Sequence, residues 1–382
     1  MSYLIAGGSL VLIALVLLDS FEAMLLPRRI SRHFRFARLF YIYSWTPWAA
    51  LARQMRASKP RYLFLSFFGP LSVLVLMGMW AVGLILGFAL LQWSLGLALH
   101  TPGEDAGFPV YLYFSGVTFF TLGFGDVTPV HPLGRFLAVA ETGLGFAFLA
   151  VVISYLPVLY QAFSHREVTI ALLDARAGSP PTAGQLLIRL GRHRNFARLD
   201  RFLEEWERWA AEVLESHISF PVLSYYRSQH DNQSWLAALT AILDTAALVI
   251  AGAKGADPYQ AQLTFATARH TVVDLAQAYH VPPIDPDPDR LPKDRWRRLQ
   301  EELRTAGIDL RDGEAVDRKL AELRGMYEPF VNALARHFLL ALPPVHSEST
   351  PIDNWQTSAW MRRTSGIDRL ALPEQPCDDH RD

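Results

Sequence analysis

Two long apolar stretches with a short glycine-bearing loop between them constrain this chain more than any other feature. Leu63–Leu91 carries no charged residue over roughly 29 positions, more than the ~20 that an α-helix needs to cross a bilayer. Leu133–Tyr160 is of similar length and holds only Arg135 near its start and Glu141 inside. Between them lies Thr118-Phe119-Phe120-Thr121-Leu122-Gly123-Phe124-Gly125-Asp126. Non-helical backbone is tolerated at membrane depth only where protein buries it or it lines a water-filled path. An all-α membrane protein with a re-entrant loop is the fold these three segments permit.

The loop also suggests its chemistry. Gly123 and Gly125 alternate with Leu122 and Phe124, so successive carbonyl groups can turn to one side, which needs backbone angles that glycine adopts cheaply. A row of carbonyls from four chains, with the Thr121 hydroxyl innermost and Asp126 at the outer mouth, can replace the water shell of a cation. The motif Thr-x-x-Thr-Leu-Gly-Phe-Gly-Asp resembles the Thr-x-x-Thr-Val-Gly-Tyr-Gly-Asp selectivity filter of the potassium channel superfamily, in its prokaryotic two-helix-pore form. It departs at Leu122 and Phe124, and Phe124 lacks a hydroxyl that could bond behind the filter. The resemblance covers about residues 63–162.

It implies a homotetramer in which Thr121, Leu122, Gly123, Phe124 and Gly125 bind potassium, the permeant ion; no other cofactor is implied. Pro109 starts a short pore helix over about Val110–Phe120, since proline is tolerated in a first helical turn. Tyr113 and Phe114 stand where the family carries aromatics that brace the filter. The run Gly134–Ala140 resembles the start of the family's inner helix and sets Gly145 at its hinge, although Gly143 or Gly145 could equally serve close helix packing. Helical spacing then turns Phe146, Leu149 and Ile153 towards the cavity, and Pro157 follows where it could kink the helix near an inner gate. Glu141 should point behind the filter, with Ser115 and Thr118 as candidate partners. It is either protonated or a hydrogen-bonding brace there, or else a solvated acid near the outer end.

Charge sets the topology. Arg28 to Arg61 holds nine Arg or Lys and no acid, the mark of a cytoplasmic loop. Residues 1–26 have no basic start of the secretory kind and read as a membrane helix, with Asp19 and Glu22 near its inner end. Residues 27–62 form the basic segment; within it Phe36–Met55 reads as an interfacial helix broken at Pro47, or as an irregular linker. The acids Glu104 and Asp105 then fall outside, and the chain after Phe163 falls in the cytoplasm.

Residues 163–370 change character. Gly178-Ser179-Pro180-Pro181 marks a turn, and helical periodicity follows at Ala183–Leu190, Phe196–Ser216, Val222–His230, Ser234–Ile250, Pro258–Ala278, Lys293–Thr305 and Glu314–Leu340. Trp235–Ile250 is apolar but short and contains Asp244, which favours a buried core helix over a span. Val281–Pro292 reads as a connector and residues 371–382 as a disordered tail. A net charge of −1 points to no nucleic-acid partner, leaving membrane lipid and further copies of the chain. Cys377 is the sole cysteine, so no disulfide forms within this sequence. His193, His217, His230, His270 and His280 show no metal-site spacing, and no nucleophile elbow or phosphate loop suggests an enzyme. Ser216–His230 could form a polar pocket.

The leading expectation is a potassium-selective channel of the cell membrane with a helical cytoplasmic domain that assembles or gates it. The competing expectations are a weakly selective cation channel, and a membrane-anchored sensor or scaffold with a vestigial pore.

Overall fold

The computed structural model describes residues 2–26, 36–56, 59–101, 107–191, 196–230, 233–254, 257–311 and 313–347. The basic residues 28–35, the acids at 104 and 105, His193, Cys377 and the tail expected at 371–382 lie outside the described residues. The chain divides into two compact units, one of residues 1–55 and 64–161, the other of residues 56–63 and 162–382.

The first unit is built from α1 (Ser2–Met24), α2 (Phe36–Gln54), most of α3 (Lys59–Ser94), β1 (Leu99–His100), α4 (Phe108–Phe119), β2 (Thr128–Pro129) and the first part of α5 (Pro132–Ala177). α1, α3 and α5 are each long and apolar enough to cross a membrane. Their shared core gathers Ala6 and Ile13 of α1, Leu84, Phe88 and Leu91 of α3, and Phe119 of α4. Gly83 and Gly87 form a small-xxx-small pair that lets α1 approach α3 closely. A Cβ on Gly87 would sit 2.6 Å from Ile13 Cγ1.

Asp19 is buried. Its Oδ2 accepts from the Trp80 indole at 2.9 Å and from the Ala37 amide at 3.1 Å. Ala37 lies in the first turn of α2, where backbone N–H groups have no partner within the helix. One carboxylate thus ties α1, α2 and α3 together.

The break expected at Pro47 does not occur: α2 runs through it. Trp45 packs on Phe68 and Trp48 stacks on Phe64, with centroids 4.8 and 4.4 Å apart. Packing on both sides of the proline offsets the ~3 kcal/mol that an interior proline costs.

The second unit is an all-helical bundle: α6 (Ala183–Gly191), α7 (Phe196–Ser219), a 3-10 turn (Pro221–Tyr225), α8 (Trp235–Gly252), α9 (Tyr259–Ala278), α10 (Lys293–Thr305), α11 (Glu314–Gly325) and α12 (Glu328–Phe338). α8 is the centre, and α7 and α8 both pack on α9. Every residue from Trp235 to Val249 is buried, so the apolar run there makes a core helix, as expected, although it is also long enough to span.

Two expected helices differ. Val222–His230 forms only a short 3-10 turn, because the carbonyls of Leu223, Tyr226 and Ser228 accept from the side chains of Arg166 and Tyr62. Glu314–Leu340 splits into α11 and α12 at Met326–Tyr327. Pro329 cannot continue the helix hydrogen-bond ladder, and Tyr327 turns its hydroxyl to Asp244.

Asp244 explains how an acid sits inside an apolar helix. Arg290 meets it with two bonds, at 2.6 and 3.1 Å, and reaches Glu328 at 3.1 Å. Arg324 closes the cluster on Glu328 at 3.0 Å. Removing one member of a buried pair strands the other charge, at a cost of about 3–5 kcal/mol. Asp244→Ala should therefore lower the thermal midpoint of the full-length protein sharply, whereas Glu301→Ala, whose pair with Arg304 is exposed, should leave it within experimental error by circular dichroism.

Candidate ion pathway

The site begins with α4, which ends at the loop. Gly107 precedes it, and Pro109 in its first turn needs no amide partner. After Phe119 the chain unwinds through bonds from Thr121 N to Thr118 O and from Leu122 N to Val117 O, at 3.1 and 2.9 Å. Then every second residue takes a left-handed angle: Thr121 has φ 57°, Gly123 φ 60° and Gly125 φ 77°. Glycine meets this demand at two positions without strain, while Thr121 meets it as a β-branched residue, an uncommon conformation for that type. Sequence reasoning placed the demand on the glycines alone. Thr121, Leu122, Gly123, Phe124, Gly125 and Asp126 are all exposed in the single chain.

Beyond the loop, β2 pairs antiparallel with β1, setting Leu99 opposite Pro129 and His100 opposite Thr128. The Tyr113 hydroxyl donates to Asp126 Oδ2 at 2.8 Å, fixing the carboxylate at the loop's end, and Phe114 is buried behind it. The loop is held from α4 at one end and by the two-residue ladder at the other. An open groove beside it is lined by Phe114, Thr118, Thr121, Val139 and Thr142.

α5 supplies the remaining residues. Gly145 faces the end of α4: a Cβ there would lie 2.0 Å from the Phe119 carbonyl oxygen. The structure thus gives this glycine a packing reason, whereas nothing lies within 4 Å of a Cβ on Gly143. Phe146, Leu149 and Ile153 are exposed at 67%, 50% and 63% and lie at helical spacing along α5. Pro157 is exposed, and α5 continues through it to Ala177.

Glu141 is fully buried and meets Ser115 of α4. Thr118, the other candidate partner, instead takes a 3.5 Å contact from Thr142 on its carbonyl. The second partner is Gln92 of α3, whose Nε2 donates to Glu141 Oε2 at 3.3 Å. Sequence reasoning missed Gln92; the available signal was that it is the one amide side chain in the uncharged stretch from Leu63 to Ser94.

In the second unit, the polar group expected around Ser216–His230 closes on Arg166 of α5, which is 3% exposed. Arg166 donates to the carbonyls of Leu223 and Tyr226 at 2.9 and 3.1 Å and contacts His217 Nε2 at 3.2 Å. A guanidinium only donates, so Nε2 is the accepting nitrogen and Nδ1 carries the hydrogen, given to Val213 O at 2.8 Å. Arg227 closes the far end of α12 through the carbonyls of Phe338 and Leu339. Among the described residues no cluster of three His, Cys, Asp or Glu could hold a metal ion.

Residues 73–161, the segment containing α4, the loop and the facing parts of α3 and α5, match the family model described as "Ion channel". The membrane part of the chain therefore carries an ion-channel domain, and the resemblance to the channel superfamily holds. Over 199 residues the chain is 26% identical to the uncharacterized membrane protein YdjJ of Bacillus subtilis (strain 168), covering 52% of this chain and 57% of YdjJ. Over 85 residues, 20% of this chain, it is 34% identical to protein LctB of Bacillus caldotenax and 36% identical to LctB of Geobacillus stearothermophilus, in each case covering 63% of the relative. The chain thus spans less than two thirds of these relatives. No solved structure matches it at a significant level.

Two predictions follow from these contacts. Gly145→Ala forces a methyl group into the α4 carbonyl and should lower the thermal midpoint in detergent, as overpacking costs about 1–3 kcal/mol; Gly143→Ala should be neutral or stabilising, by up to ~1 kcal/mol. The His217 imidazole is held well below its usual range, first by burial and then by Arg166. The unfolded chain then binds a proton that the folded one refuses, so stability present above pH ~6.5 is lost progressively below it. His217→Gln should flatten that part of the stability–pH curve measured by thermal unfolding.

Proposed function

We propose that the protein is a potassium-selective channel of the cell membrane, assembled from four copies, whose C-terminal bundle is cytoplasmic and assembles or gates the pore. The observation that carries this reading is the alternation of left-handed angles at Thr121, Gly123 and Gly125 in a loop flanked by two helices long enough to span. Such backbone offers successive carbonyls to a dehydrated cation. The chain has no second copy of the filter motif, so a fourfold ring draws on four chains. The exposed strip of Phe146, Leu149 and Ile153 and the open groove beside the loop leave surface for neighbouring copies and for a central cavity.

In this reading Asp126, held by Tyr113, concentrates cations at the outer mouth, and the carboxyl end of α4 adds partial negative charge at the inner side. Gly145 and Pro157 are the positions at which α5 could bend on opening. The excess of basic residues from Arg28 to Arg61 supports a cytoplasmic side for that segment and for the C-terminal bundle. Lipid surrounds the helices.

Purified full-length protein in liposomes should pass potassium much faster than sodium and be blocked by barium, a divalent ion of similar size. Gly123→Ala should abolish flux, because φ 60° disfavours a side chain. Equal sodium and potassium rates would replace this reading with a weakly selective cation channel, as loss of a hydroxyl at Phe124 would allow. No flux of either ion would leave a membrane-anchored scaffold.

A further inference from the structure

Hydrogens can be counted in the cluster behind the loop. Ser115 Oγ lies 2.8 Å from the Ile85 carbonyl oxygen and is also bonded to Glu141 Oε1. A hydroxyl has one hydrogen, and a carbonyl can only accept. The Ser115 hydrogen therefore serves Ile85, and the hydrogen between Ser115 and Glu141 belongs to the carboxyl group. Gln92 Nε2 donates to the other oxygen, Glu141 Oε2, at 3.3 Å.

Charge agrees with the count. From Leu63 to Ser94, α3 has no charged side chain; α4 has none; and α5 from Phe136 to Ser164 has only Glu141. Arg135, the nearest cation along α5, is engaged with the Pro129 carbonyl at 3.2 Å. The tyrosines of α4 are also occupied, Tyr111 with the Leu97 carbonyl and Tyr113 with Asp126. The acids of α1, Asp19 and Glu22, could only repel a second negative charge. An ionised carboxylate without a cation at membrane depth is expensive.

We infer that Glu141 holds its proton at neutral pH and relays a single-file hydrogen-bond chain from Gln92 through Glu141 and Ser115 to the Ile85 carbonyl, with Gln92 as a positioning residue for the α4–α5 contact. The chain runs in one direction: Gln92 N–H to Glu141 C=O, Glu141 O–H to Ser115, Ser115 O–H to Ile85. It links α3, α5 and α4 with neutral groups, so the loop is braced from behind without a fixed charge that would compete with its carbonyls for the cation. The inference depends on the hydrogen-bond geometry and not on potassium selectivity.

The test is infrared difference spectroscopy on full-length protein at neutral pH, wild type against Glu141→Gln, with thermal unfolding alongside. A protonated-carboxyl C=O band should be present in wild type and lost in E141Q. E141Q should unfold within about one degree of wild type, since its amide N–H replaces the acid O–H towards Ser115 and its carbonyl accepts from Gln92. Glu141→Ala should unfold several degrees lower. Gln92→Leu should shift the carboxyl band to higher frequency by removing the donor to its carbonyl, a change that packing alone would not produce. Were Glu141 ionised, both neighbours would donate to it, and the E141Q amide would meet the Ser115 hydrogen head-on. Absence of the band, E141Q as unstable as E141A, or an unshifted band in Q92L would each overturn the inference. If E141Q does not assemble, that counts as the second of these outcomes. None of the readouts uses ion flux, so a protein that passes no potassium would sink the channel reading and leave this one standing.

Discussion

Hydrocarbon offers no hydrogen-bond partner, and residues 121–125 form neither helix nor strand. That single constraint organises the membrane unit. The loop is held at its two ends: α4 stops short, α5 presses against its end, and β1 and β2 tie down the exit, while residues 121–126 stay exposed in the single chain. The glycine at 145 is the condition for the contact of α5 with α4. Any side chain there would collide with the Phe119 carbonyl and push α5 off the very turn from which the loop departs.

The bundle answers a different constraint with a similar solution. Its central helix, α8, is so completely enclosed that the acid it carries must find its countercharge inside. Arg290 reaches it from an irregular connector, and Tyr327 and Glu328 arrive because α11 and α12 separate just there. The same economy appears around Arg166, where the carbonyls of Leu223 and Tyr226 turn inward instead of forming a helix. In both places a buried charge dictates where regular structure ends.

Much of this was legible in the sequence. The uncharged run at 63–91 and the apolar run at 133–160, charged only at Arg135 and Glu141, predicted α3 and α5, and Pro109 with the glycine motif predicted α4 and the loop. Periodicity found α6 to α10 nearly to the residue. What the sequence hid was tertiary. Pro47 looked like a break because local propensity disfavours it, yet two tryptophans on either side hold the helix. Val222–His230 looked helical because the donors that claim its carbonyls lie far away along the chain, at Tyr62 and Arg166. Gln92 sat unnoticed in an apolar helix, since only the fold brings it to Glu141.

The position of Asp19 bears on how the membrane unit tolerates change. A first helix packed against a pore might be regarded as an accessory that could be shed or exchanged. Here it is a wall with a lock in it. Without α1 the Trp80 indole and the Ala37 amide would each lose the carboxylate that accepts their hydrogens, and the small surface at Gly83 and Gly87 would lose the side chains of Val16 and Ile13. A shortened chain beginning at the basic stretch would inherit two unmet polar groups and a hollow flank, so the pore segment alone is not a self-sufficient module in this protein.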